Sequence, residues 1–394
     1  MLGHLFEGCL QIDTTVRTAG TLAQAPQPVP TCKGIAAFAD SEDRCISMLT
    51  AANIRRTATH RLFSENPDEP GRRGSIAHLV GTLYYRCCYN DYETTLRYLQ
   101  AVRVIWPDSW QSMISLPKMW FVGIDMTAQW PNFTITEKPG ASPGRKLFGL
   151  FPTRKAASRY SSLLQAAFAL CRRPDLIDSA DKAATCPYLQ MGTCPAPCVG
   201  SISRQEYGRQ IENAASGAEV RLRFAEDLRR QMLEFAARRQ FEEAAVMKKR
   251  LEALDMLNGS DYAWTHDLAD LAILHIDRWA KIVGPQGRRK VQSYAGYLIA
   301  GEHIHCLGPF TLDQTENFLR EANCRIKEFG PQNNPDDAKL NLAMTAGLLY
   351  RNNPPGIWFN CSGSGLQYNL PAPEEVAARI ACKSSGEPGG GSGD

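Results

Sequence analysis

Cys171-x14-Cys186-x7-Cys194-x3-Cys198 gathers four thiols within 28 residues, the last two separated by the tight turn Pro195-Ala196-Pro197. Four thiolates converging from loops suit either an iron–sulfur cluster or a structural zinc, because both accept four-cysteine ligation and both need deprotonated sulfur. Spacing does not choose between them. The chain has thirteen cysteines, and the other nine, Cys9, Cys45 and Cys306 among them, are spread along it. An odd number in a chain long enough to bury a core without staples argues against a secreted disulfide framework and makes metal ligation the better question.

Three other groups of residues could do chemistry. Arg55, Arg56 and Arg61 give a basic face able to hold phosphates, and Arg145 and Lys146, with Arg154 and Lys155, give a second; a solvated helix face is the plainer reading of each. His303 and His305 alternate so that both imidazoles share one strand face beside Cys306. Those two, with the pairs His266–Asp267 and His275–Asp277, read as structural histidines. Between residues 216 and 256, Leu228, Met232, Phe241, Ala244, Ala245, Leu251 and Leu254 form an apolar stripe at helical spacing, broken near Arg238 to Gln240.

These groups must be positioned by elements that the sequence also marks. Residues 1–30 read as an irregular lead-in. Gly34–Phe38, the acidic turn Asp40–Asp43 and Ile46–Leu49 predict a hairpin, followed by a basic helix from Asn53 to Phe63 and a polar loop over 64–74. Leu79–Cys88 is strand-like, Glu93–Ile105 suits a helix stopping before Pro107, and the loop Lys138–Arg145 marks a boundary. Thr153–Leu170 predicts a helix with Leu163, Leu164, Ala167 and Leu170 on one face. The runs Leu271–Ile276, Gln292–Ile299 and His303–Leu307 are β-like, and the Ser/Gly-rich end, 383–394, is expected to be a disordered tail.

The chain has 394 residues, 44% hydrophobic and 22% charged, with a formal net charge of +3. That length fits two to four modules. Its charge is compatible with nucleic-acid binding without arguing for it. No apolar run reaches the ~18 residues of a membrane helix, and no basic-then-apolar leader stands at the start, so a cytoplasmic protein with no membrane partner is expected.

The string from Cys186-Pro187-Tyr188-Leu189-Gln190 to Cys194-Pro195-Ala196-Pro197-Cys198-Val199-Gly200 resembles a segment of the UvrC family of excision-repair proteins. Phe148-Gly149-Leu150-Phe151-Pro152, a helix and Cys171 repeat the order that precedes that segment in the family. The resemblance implies a four-iron, four-sulfur cluster on Cys171, Cys186, Cys194 and Cys198, with zinc as the alternative. Met232-x8-Phe241-Glu242-Glu243-Ala244-Ala245 resembles the UVR motif, the helical hairpin through which UvrB and UvrC pair. It implies a UvrB-like partner held by Met232, Phe241, Glu242, Ala244 and Ala245, with the small alanines letting helices approach and Phe241 filling the gap. Lys248 and Lys249 depart from the family's usual Arg-Asp pair.

Residues 34–63 are similar to the GIY-YIG nuclease pattern through Gly34, Ile35, Phe38, Asp40, Arg44, Asn53, Ile54, Arg55 and Phe63, and Glu93 falls where the family has a metal-binding glutamate. In that register the two tyrosine positions are Ala36 and Ser47, the lysine is Thr50 and the catalytic arginine is Thr57. Neither alanine nor threonine can move a proton or neutralise a phosphate at such a centre. Glu93 is the one catalytic group retained, and Mg or Mn enters only if the nuclease is active.

The expectation is a multi-module α/β protein. It has a degenerate GIY-YIG-like α/β domain (31–140), a four-cysteine cluster module (145–205), a UVR helical hairpin (216–256) and a mixed α/β region of unclear role (260–382). The resemblance implies a nucleotide-excision-repair protein that docks on UvrB and binds double-stranded, damaged DNA through Arg55, Arg56, Arg61, Arg145 and Lys146. The alternatives are an active single-incision GIY-YIG endonuclease and a helical-partner binding module unrelated to repair.

Overall fold

A computed structural model of the chain describes residues 2–12, 22, 28–63, 75–139, 144–177, 186–283, 287, 289–300, 303–328, 335–363 and 368–385. Strands β1 (Gly8–Gln11), β2 (Gly34–Ala39), β3 (Cys45–Ala51) and β4 (Thr82–Cys87) form an antiparallel sheet in the order β1-β4-β2-β3. All six residues of β2 are buried, because both faces of the sheet are covered. Ala36 and Phe38 meet Ile54, Ala58 and Leu62 of helix α1 (Ile54–Phe63). Ile35, Ala37 and Ala39 meet Ala101 and Val102 of helix α2 (Asp91–Ile105). The hairpin read from the sequence is present. Its turn is held by the Asp40 carboxylate, which accepts from the amides of Glu42 and Arg44 and from Arg44 Nε, each at 2.9 Å. A side chain on Gly34 would stand 2.0 Å from the Arg86 carbonyl oxygen, so the close approach of β2 to β4 admits only glycine there. Asn53 and Asn90 start the two helices, their side chains accepting from the amides of Arg56 and Glu93 at 2.9 and 2.8 Å.

The lead-in is not wholly irregular. Gly8–Gln11 pairs with β4, an edge strand whose four residues are too few to leave a periodic signal, while 13–21 and 23–27 lie outside the described residues, as does the expected polar loop over 64–74.

After a short helix α3 (Trp110–Met113), a second antiparallel sheet runs β6-β5-β7-β8, from β5 (Trp120–Asp125), β6 (Phe133–Thr136), β7 (Arg145–Phe151) and β8 (His266–Asp267). It spans the Lys138–Arg145 loop where the sequence suggested a boundary, so 120–136 belong with the middle of the chain: β5 pairs with β7 across that loop. Helix α4 (Arg154–Ala167) begins at Thr153, whose hydroxyl accepts from Ala156 N, and buries Ala157, Tyr160, Leu164 and Ala167. The cysteine segment follows with two short elements, α5 (Pro187–Gln190) and a 3-10 turn at Pro197–Val199. Helix α6 (Arg204–Ala214) is opened by a capping box between Ser203 and Glu206. Helices α7 (Ala218–Ala237) and α8 (Phe241–Leu257) then form the hairpin expected over 216–256.

The three β-like runs near the end become β9 (Ala272–Val283), β10 (Lys290–Ala300) and β11 (His303–Phe310), joined by β12 (Ile357–Asn360) in the order β11-β10-β9-β12. Helices α9 (Thr315–Ile326), α10 (Pro335–Leu349) and α11 (Pro373–Ser385) complete this region. The last helix takes in the start of the expected tail, and 386–394 lie outside the described residues. Among the described residues the protein is thus mixed α/β, with three four-stranded sheets and eleven α-helices. None of those helices is long and apolar enough to cross a membrane.

Helix α2, packed on the first sheet, also enters a core shared by the second and third. Tyr92, Leu96 and Leu99 of α2 pack with Phe121, Leu147 and Leu150 of the second sheet and with Ile273, Tyr297 and Trp358 of the third. Half-buried hydrogen bonds stitch it: Asn90 Nδ2 donates to Arg278 O at 3.2 Å, and Tyr350 Oη donates to Leu150 O at 2.7 Å.

Candidate functional site

The four cysteines come together around α5 and the 3-10 turn. Cys171 and Cys186 are buried, and Cys194 and Cys198 are half-buried. Cys171 follows the end of α4, its amide donating to Tyr207 Oη of α6 at 3.4 Å. Cys186 caps α5, its carbonyl accepting from Leu189 and Gln190. Ala196, in the left-handed region at φ 54°, turns the chain between Cys194 and Cys198. Burial pushes the Cys171 thiol up to about 11, and the nearby sulfurs of Cys194, Cys198 and Cys186 push in the same direction. Cys194 is raised by burial and then by Cys186 and Cys198. A cation bound by these thiols would reverse the sign of the effect. In number and type the donors suit a four-thiolate group. Among the described residues no three His, Cys, Asp or Glu side chains form a group that could hold a metal. Residues 178–185, between Cys171 and Cys186, lie outside the described residues.

Beside this segment the hairpin has a buried base and a bare tip. At the base, Leu228, Ala253, Leu254 and Leu257 enter the core of the second sheet, and Phe168 stacks on Phe224 with ring centroids 4.7 Å apart. Two cations are taken inside: Arg221 Nη2 donates to Tyr160 Oη at 2.7 Å, and Arg250 Nε donates to Ala167 O at 2.9 Å. From residue 229 to residue 243 no side chain is buried. Phe241 is 67% exposed and Leu233 65%, a pair of large apolar groups flanking the Arg238–Gln240 turn. Phe241 therefore does not fill a gap between the two helices, as the sequence suggested. Ala244 is buried there instead, while Glu242 and Ala245 face solvent and Met232 is half-buried. Leu233 was missed because it falls off the stripe that packs inward.

In the first sheet, Arg55, Arg56, Asn53, Thr31, Thr59, His60 and Phe63 line an open groove of about 520 Å³ at the start of α1. Arg56 is exposed. Arg55 is half-buried, its Nε donating to Val29 O at 2.6 Å, and Arg61 is half-buried further along the helix. His60 lies one helical turn from Arg56, whereas Thr31 joins these arginines only through folding. The second basic pair is split in role: Lys146 turns inward, donating to Ala215 O at 3.2 Å with the Asp267 carboxylate 3.9 Å away, while Arg145 opens β7 opposite Asp125.

Glu93 is not on that groove. It is buried at the start of α2, accepting from Tyr89 N at 2.9 Å and standing 4.0 Å from Arg97. Burial raises its carboxyl above the usual range despite both partners. Its cavity, about 170 Å³, is completed by Trp279, Tyr297 and Cys306 of the third sheet. Ala36 is buried under α1, Ser47 is half-buried on β3 and Thr57 half-buried on α1. No ionisable side chain stands at the positions where the nuclease pattern has tyrosine, lysine and arginine. Of the paired histidines, His275 is buried with Nδ1 3.1 Å from Ile357 O.

Comparison with known proteins bears on the middle of the chain. Residues 119–217 match the family described as UvrC/Cho excinuclease, middle domain, a span that starts at β5, ends at the base of α7 and contains all four cysteines. The chain is 26% identical over 227 residues to UvrABC system protein C of Trichlorobacter lovleyi, covering 57% of this chain and 37% of that one. To the protein of the same name from Alcanivorax borkumensis it is 30% identical over 160 residues, 40% and 26% of the two chains. To that of Methanothermobacter thermautotrophicus it is 24% identical over 261 residues, 66% and 43%. The alignments thus span less than half the length of each of these relatives. No solved structure matches the chain. By the middle-domain match and the repeated alignments to UvrABC system protein C, the chain is similar to the UvrC family, at modest identity and over part of its length.

Proposed function

We propose that this chain works in nucleotide excision repair as a docking and DNA-holding protein whose own GIY-YIG centre does not cut. The tip of the hairpin binds a UvrB-like protein through Phe241, Met232, Glu242, Ala244 and Ala245, with Leu233 added to the contact. The groove of Arg55 and Arg56, with Arg61, holds phosphates of damaged duplex DNA, and Arg145 adds a contact nearer the cysteines. Cys171, Cys186, Cys194 and Cys198 hold a four-iron, four-sulfur cluster that fixes the loop geometry of the middle domain. When bound, that group supplies a rigid four-point tether and takes no part in a cleavage step. The protein's own contribution there is to keep Cys171 in the core beside Tyr207 and Cys186 buried.

The observation that carries the docking reading is the contrast within the hairpin. Its base is sunk in the core, while Phe241 and Leu233 stand in water at its tip. Exposed aromatic and aliphatic anchors on a rigid helical support are what a helical partner can bury. The absence of a proton-moving or phosphate-neutralising side chain at positions 36, 47 and 57 supports the non-cutting part.

The test is capture of a UvrB-type protein by the full chain, alongside nicking of lesion-containing duplex with Mg²⁺ or Mn²⁺ and anaerobically purified protein. Capture should vanish in the Phe241→Ala, Ala245→Glu double variant with circular dichroism unchanged, and no nicking should appear. Capture that survives the double variant ends the docking proposal. Metal-dependent nicking lost in Glu93→Ala makes the protein a working single-incision nuclease instead.

A further inference from the structure

Two thiols outside all of these groups meet across the first sheet. Cys32, just before β2, and Cys87, at the end of β4, are 55 residues apart in sequence, yet their sulfurs lie 2.7 Å apart. That is closer than sulfur atoms that merely pack together. Both are free and half-buried. The register brings them together: Gly34 stands opposite Cys87, and the Cys88 amide donates to Lys33 O at 2.8 Å. The sulfur contact is to Cys87, while the adjacent Cys88 is fully buried. Its thiol is pushed up to about 12, chiefly by burial.

We infer that Cys32 and Cys87 are a reversible disulfide-forming pair, oxidised by exchange with an external small-molecule disulfide such as oxidised glutathione. In the first step one protein thiolate attacks a sulfur of the external disulfide, breaking its S–S bond and releasing one small thiolate that takes up the proton. The second protein thiol, deprotonated in turn, attacks the protein sulfur of the mixed disulfide and releases the second small thiol. Two electrons and two protons pass from the protein to the external disulfide, and the Cys32–Cys87 bond replaces the one that broke. Burial and the neighbouring Cys32 hold the Cys87 thiol up, so the thiolate needed for exchange is favoured by raising the pH.

The bond lies against the basic groove. The Cys32 carbonyl accepts from Ile54 N, the Pro30 carbonyl accepts from Arg55 N, each at 3.0 Å, and Thr31 lines the groove itself. Oxidation therefore pins the chain that caps α1 to the end of β4. It also closes a loop containing β2, β3 and α1, which removes freedom from the unfolded chain.

The experiment is peptide mapping of the full chain, purified anaerobically and equilibrated across a series of reduced and oxidised glutathione ratios, then alkylated and digested with trypsin. The expected result is a linked pair of peptides, 18–33 with 87–97, that grows with the oxidised fraction and returns to free peptides in dithiothreitol. It should persist in Cys88→Ser and be lost in Cys32→Ser. The oxidised protein should melt several degrees higher than the reduced one. Complete alkylation of Cys32 and Cys87 at the most oxidising ratio overturns the inference, as does a Cys32–Cys88 link in wild type; neither result depends on whether a variant folds.

Discussion

His275 sits fully buried on β9, stacked on Trp358 with ring centroids 3.9 Å apart, and burial lowers its pKa from 6.5 to about 3. The folded protein keeps it neutral while the unfolded chain protonates it. The stability it contributes is complete above pH 6.5 and is lost as pH falls toward 3, by about 1.4 kcal/mol per unit at most. Asp277, two residues on, has the opposite sign. Burial raises it from 3.8 to about 6, so it costs nothing below pH 4 and its penalty grows as pH rises to 6. Urea unfolding as a function of pH separates the two. Asp277→Asn should be more stable than wild type by about 1–2 kcal/mol at pH 7, with the gain gone by pH 4. His275→Phe should lose the acid-side decline between pH 6.5 and 5 whatever its stability at pH 7. At the groove, Arg56 is exposed, and its amide is the partner of the Asn53 cap. Under the DNA-holding proposal Arg56→Gln should weaken duplex binding equally across sequences, and the slope of log K against log salt should fall by about 1. An unchanged slope removes Arg56 from the interface.

At the scale of elements, the hairpin is the informative case. Its two ends read alike in the sequence, since large apolar residues recur through both, but burial divides them. Leu254 is fully buried against α4, whereas Phe241 is mostly exposed. Leu254→Ala should cost about 2–5 kcal/mol in denaturant unfolding through lost packing and the cavity left behind. Phe241→Ala should stay within about 0.5 kcal/mol, the usual range for a surface position. Equal losses at the two sites would mean that the tip packs on something within the chain. Periodicity gave the helices and their break at Arg238–Gln240, since an uninterrupted helical pattern is a local property. It could not give which face is inward, because that depends on α4 and on the stacking of Phe168 with Phe224.

At the scale of the molecule, helix α2 ties the first sheet to a core shared by the second and third. Tyr92, with no exposed surface, is its clearest member: it contacts His275, Tyr297 and Trp358, and its hydroxyl lies 3.3 Å from Thr345 Oγ1. Tyr92→Ala should cost about 3–5 kcal/mol. The melting of far-ultraviolet circular dichroism should shift as a whole, because α2 links the first sheet to the third. A first transition that moves alone, with a second left in place, would show that the sheets unfold separately.

The four-cysteine spacing, the hairpin and its break, the β2–β3 turn and the capped helices are written in short stretches of sequence, because each depends on neighbours within a few turns or one pair of strands. The middle domain's start at β5, the inward turn of Lys146, the separation of Glu93 from the arginine groove and the meeting of Cys32 with Cys87 are not. Each follows from strands and helices far apart in sequence finding one another to bury apolar surface, and no local pattern records which of them do.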